Sequence, residues 1–128
     1  MKIMLTKDES EKFFYNALCN GLGYLSGYGL ELTYNKQDYV KARKNAVSEF
    51  DSPCYEEVLM QILRNGGTLS LVDHESGEET KHVTLADIHT NVSNTPAKWL
   101  LQMIDECDDA VTADCILQST FYGDILFG

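Results

Sequence analysis

The chain has 128 residues, 44% of them hydrophobic and 23% charged, with a formal net charge of −10. That balance fits one folded domain over residues 1–128 and excludes a disordered polymer, because enough apolar surface is present to offset the ordering of the backbone. Apolar runs such as Trp99–Leu101 fall far short of the ~18 residues a membrane span needs, and Met1–Leu5 is too short for a secretory leader, so a cytoplasmic setting is expected.

The first helix is expected from Thr6, whose hydroxyl can cap Glu9 while Glu9 reaches back. Phe13, Phe14, Ala17, Leu18 and Leu22 then recur at helical spacing, and the helix weakens through Gly21 and Gly23 towards Gly27. Leu30–Tyr34 alternates apolar and polar residues and predicts a short strand. Asn35 caps a second helix from Lys36 to about Val47, which carries Lys36, Lys41, Arg43 and Lys44. Ser52-Pro53 signals a third helix start, with Val58, Leu59, Ile62 and Leu63 inward and Gly66-Gly67 as its stop.

A β-hairpin follows near 68–85, turning around Ser76-Gly77. A three-residue turn centred on Gly77 places Leu71 opposite Val83, Leu69 opposite Leu85 and Asp73 opposite Lys81, which yields one clean apolar face. Thr84 with Asp87 starts a short helix to Val92, and Thr95-Pro96 starts another with Trp99, Leu100, Met103, Ile104 and Cys107 on one side. The last helix spans about Thr112 to Tyr122, and the apolar segment Ile125–Phe127 should dock on the body. These elements imply an α+β fold, five to six helices around a small antiparallel sheet, with Leu30–Tyr34 as third strand. Cys19, Cys54, Cys107 and Cys115 lie beside apolar neighbours in stretches read as helical, and are expected to be buried free thiols.

The charge is unevenly placed. Residues 1–52 hold seven Lys/Arg and seven Asp/Glu, whereas residues 53–128 hold three against thirteen, the whole excess. Such a surface repels phosphate backbones, which argues against nucleic acid, and suits a basic protein partner. Asp105, Glu106, Asp108 and Asp109 form the candidate acidic partner face. Asp108, Asp109 and Asp114 suit a helix start, while Asp105 and Glu106 close the preceding helix, where negative charge is unfavourable. The stretch lacks the glycine and the final glutamate of a calcium loop.

The segment from Gly21 to Gly29 is the other unusual feature. It follows a helix and opens a strand, the reverse of a dinucleotide loop. Gly23 and Gly27 would admit another backbone closely, or else Tyr24 and Tyr28, with Tyr34, would present a ligand or partner surface. In the chosen hairpin register His74 and His82 are diagonal neighbours on the polar face, with His89 on the next helix; two such ligands do not make a metal site. No nucleophile elbow, HExxH or CxxC is present, so no cofactor, metal or enzymatic activity is assigned.

The functional expectation is therefore a non-enzymatic interaction or regulatory protein that meets a basic partner through its acidic C-terminal half. The alternatives are a small-molecule-binding protein or small enzyme with a pocket near residues 21–34, and a structural subunit of a larger assembly. The basic second helix also suits self-association with the acidic end of another copy.

Overall fold

The computed structural model describes residues 3–46, 52–75 and 79–128. Within them lie helices α1 (Lys7–Gly27), α2 (Lys36–Asn45), α3 (Tyr55–Arg64), α4 (Leu85–Asn91), α5 (Ala97–Ile104) and α6 (Ala110–Tyr122). Strands β1 (Leu30–Thr33), β2 (Leu69–Asp73) and β3 (Lys81–Val83) form one antiparallel sheet in the order β1-β2-β3. The fold is α+β, as composition and periodicity imply.

Local signals at helix ends account for most boundaries. Glu9 N–H donates to Thr6 Oγ1 at 3.1 Å and Thr6 N–H donates to Glu9 Oε1 at 2.9 Å, closing the capping box of α1. Asn35 Oδ1 accepts from the amides of Gln37 and Asp38, and Thr84 from that of Asp87. Gly66, at φ +91°, supplies the left-handed residue that stops α3.

Three helix starts differ from expectation. The N-cap of α3 is Cys54 rather than Ser52: Cys54 N–H donates to Glu57 Oε1 at 2.9 Å, so the acid at the third position of α3 selects the cap and Pro53 stays outside. Helix α5 begins at Ala97, one residue later than the Thr95-Pro96 signal places it. Helix α6 begins at Ala110 because Asp109, not a residue near Thr112, is the cap; Thr112 N–H donates to Asp109 Oδ1 at 3.0 Å. The expected end of α2 at Val47 and the Ser76-Gly77 turn lie outside the described residues.

The hairpin register also differs. Leu69 opposes Val83, Ser70 opposes His82 and Leu71 opposes Lys81, a slip of two residues from the expected pairing. A two-residue slip leaves every side chain on its own face, so burial alone does not discriminate the two registers. Behind the Thr84 cap, Leu85 is the first residue of α4 and is not a strand residue opposite Leu69.

One sheet face, with Leu30, Leu69, Leu71 and Val83, is buried against the helices. The same core takes Phe13, Phe14, Ala17 and Leu18 from α1 and Ile116, Leu117 and Phe121 from α6. The α1–α6 contact is the most extensive between helices. Glu11 braces this body, its carboxylate accepting from His89 Nε2 at 2.9 Å and from Arg64 Nε at 3.3 Å, and so ties α4 and α3 to α1. Of the four cysteines, Cys115 alone is buried; Cys19, Cys54 and Cys107 are exposed. Cys54 caps a helix and Cys107 follows one, so neither sits on an apolar helix face. Ile104 is likewise exposed, since the eight residues of α5 bury only Leu100 and Met103. No helix among the described residues is long and apolar enough to cross a membrane.

Candidate functional site

The glycines of α1 divide into two environments. A methyl group added at Gly21 would lie 3.0 Å from the backbone carbonyl carbon of Ala113, from its Cβ and from Leu117 Cδ1. Gly21 is therefore where α6 crosses α1 closely. Gly23 and Gly27 were expected to admit another backbone, yet a methyl group at either would meet no atom of the described residues within 4 Å. The close approach falls on Gly21 because α6 packs on the face carrying Ala17, Gly21 and Leu25, while Gly23 and Gly27 point away from it.

That open side forms a shallow concavity of about 460 Å³, lined by Asn20, Gly23, Tyr24, Gly27 and Tyr28 of α1 and its C-cap, and by Ala110 of α6. Residues 20, 23, 24, 27 and 28 share one side of the helix, so the two glycines leave low ground beside the side chains of Tyr24 and Tyr28. Tyr24 is 42% exposed. Ala110 is the first residue of α6 and follows its cap, Asp109, directly.

Tyr28 is held by a buried network. Its hydroxyl donates to Asp114 Oδ2 at 2.8 Å, and Gln118 Nε2 donates to Asp114 Oδ1 at 2.9 Å. Gln118 Oε1 accepts from the amides of Leu126 and Phe127, each at 2.8 Å, while its Nε2 also reaches the Phe127 carbonyl at 3.2 Å. Phe127 stacks on Tyr28 with ring centroids 5.3 Å apart and meets Tyr122 edge-on at 6.0 Å. The segment after α6 is thus docked, through a fully buried glutamine. Burial, then the hydrogen bond and negative charge of Asp114, push the Tyr28 phenol up to about 12. The neighbouring Cys115 thiol rises to about 11, chiefly through burial and secondarily through Asp114.

The acidic residues fall into distinct roles. Asp109 is the α6 cap, and the Thr112 backbone N–H holds its carboxyl below the ordinary carboxylate range. Asp105 closes α5, and Glu106 turns the chain with φ +56°. Asp105 and Glu106 are exposed and Asp108 is half-buried. Asp114, by contrast, leaves the surface cluster altogether and is buried one turn into α6. Tyr24 and Tyr28 thus line the same concavity as Ala110, whose chain neighbour Asp109 caps α6.

Tyr34 is elsewhere. It stacks on Tyr39 at 5.2 Å and packs at 6.1 Å against Tyr55, joining β1, α2 and α3. His74 and His82 share the polar sheet face as expected, but the shifted register removes their diagonal pairing. His74 Nε2 instead lies 3.1 Å from Glu31 Oε1, and His82 Nδ1 lies 2.6 Å from Ser70 Oγ. Among the described residues, no three His, Cys, Asp or Glu side chains converge to hold a metal ion.

Gln118 and Phe127 are the important residues that sequence reasoning passes over as site residues. A signal was present: Asp114, Gln118 and Phe121 recur at helical spacing beside the apolar stripe of α6, so a polar pair enters the interior where it must find partners. No protein-family model matches this chain, and no curated protein or solved structure is recognisably similar to it.

Proposed function

We propose that this chain is a non-enzymatic interaction protein whose α1–α6 concavity receives a basic, amphipathic segment of a partner protein. One observation carries the reading: Gly23 and Gly27 open onto empty space, whereas the fold's own close helix contact uses Gly21. Glycine inside a helix costs about 1 kcal/mol relative to alanine, so two that serve no internal contact invite an external one. Tyr24 supplies an exposed aromatic anchor beside them, and aromatic anchors dominate many binding surfaces. The nearby Asp108 and Asp109, in a half of the chain carrying the entire net charge, favour a positively charged segment.

Affinity capture at low ionic strength tests this, comparing the wild-type chain with Gly27→Leu, which fills the concavity without touching the core. The expected result is recovery of a basic protein by the wild type alone, and its release at about 0.5 M salt, where the Debye length shrinks to about 4 Å. Equal recovery by both chains would place the partner elsewhere and sink the proposal. Recovery of a second copy of this chain would identify the basic segment as α2, which exposes Lys36, Lys41 and Lys44 and buries only Ala42.

A further inference from the structure

Two cysteines from distant parts of the chain meet at one phenol. Cys19 follows Tyr15 by four residues on α1, so the two side chains stand on the same helix face one turn apart. Cys54, the cap of α3, approaches from the other side, with its Sγ 3.7 Å from the Tyr15 hydroxyl. The hydrogen bond shared with Cys54, then burial and the nearby Cys19, raise the Tyr15 pKa. Both thiols are exposed, so a small reagent reaches them from solvent. The pair also differs from Cys115, which is buried within α6.

We propose that Cys19 and Cys54 form a thiol–disulfide exchange site that closes an intramolecular disulfide across the α1–α3 junction, taking oxidising equivalents from a low-molecular-weight disulfide. In the first step one cysteine loses its proton and its sulfur attacks the small disulfide. That S–S bond breaks, one small thiolate leaves and takes up the proton, and a mixed disulfide remains on the protein. The second cysteine, deprotonated in turn, attacks the protein sulfur of the mixed disulfide and expels the other small thiol. Two protein thiols are oxidised by two electrons, and one small disulfide is reduced to two thiols.

The bond requires the sulfurs to come within about 2.05 Å and the Cα atoms to lie within about 7 Å. Closing the bond therefore requires the two cysteine side chains to turn towards each other and the Tyr15 hydroxyl to leave Cys54 Sγ. The closed form would tether the loop that holds β1 and α2.

The experiment uses the full reduced chain, freed of reductant and incubated with oxidised glutathione. Intact mass and non-reducing peptide maps are read over time. The expected product has lost about 2 Da and yields a Cys19–Cys54 cross-linked peptide. It forms about ten-fold faster in the folded chain than in the same chain unfolded in urea, because the fold sets the effective concentration of the two thiols. In Cys19→Ser, Cys54 accumulates instead as a stable glutathione adduct. Glutathione adducts on both cysteines of the wild type without a cross-link would overturn the proposal. So would a cross-link rate no faster than in urea, or a disulfide that joins Cys54 to Cys107 as readily as to Cys19.

Discussion

The two sides of α1 use the same residue type for opposite ends. On the side facing α6, Gly21 removes a side chain so that two helices pack closer than even a methyl group there allows without a shift. On the other side, Gly23 and Gly27 remove side chains and nothing within the described residues takes their place. The first glycine is explained by the fold; the second pair makes no contact among the described residues that explains it. The lesson is that a glycine's purpose is read from what its missing Cβ would strike, and composition does not supply that.

Substitution at Gly21 separates the two sides most sharply. Gly21→Val drives methyl groups into the Ala113 backbone, which cannot move without shifting α6, and should cost about 3 kcal/mol or more in urea unfolding. A cost below about 1 kcal/mol would show that α6 is free to slide and would erase the distinction. Next in size is Gln118→Leu. It strips the hydrogen bonds to Leu126 and Phe127 and leaves one oxygen of the buried Asp114 without its donor. The expected loss is about 2–3 kcal/mol, with faster amide exchange at Leu126 and Phe127.

Alkaline titration probes the same side through Tyr28. Its phenol stays neutral in the fold up to about 12, whereas the unfolded chain ionises near 10. Across that window the unfolded state binds fewer protons, so stability is intact below pH 10 and falls as pH rises towards 12. Tyr28→Phe should flatten this decline without abolishing it, because Tyr15 is also raised, chiefly by its hydrogen bond with Cys54, and Tyr55 chiefly by burial. An unchanged slope in denaturant titrations from pH 9 to 12 would detach Tyr28 from the network. Smallest is Gly23→Ala, which should stabilise the chain by about 0.5–1 kcal/mol, since alanine restricts the unfolded backbone and meets nothing in the fold. A destabilisation there would mean that the open side is already occupied.

Much of the fold was legible because the signals are local. The Thr6–Glu9, Asn35 and Thr84–Asp87 caps are hydrogen bonds between residues two or three apart, so residue type and spacing suffice to locate them. Failures at the other starts are also local: Cys54 and Asp109 cap through Glu57 and Thr112, pairs less conspicuous than Ser52-Pro53. The site was legible only in part. Tyr24 and Tyr28 stood out, but their meeting with the start of α6 depends on a contact between residues more than eighty positions apart.

By itself, then, the sequence determined an α+β chain with its net charge carried by residues 53–128, capped helices and a sheet with one apolar face. Those properties follow from periodicity and from hydrogen bonds made within a few residues. Tertiary structure decided the hairpin register, because slips of two residues preserve the apolar face and only the pairing of the folded strands sets Leu69 against Val83. It also decided which acids remain at the surface and which enter the core, as Asp109 and Asp114 show from five residues apart. Above all it decided which glycine of α1 is packed and which are open, since that is set by where α6 lies across the helix and not by the glycines themselves.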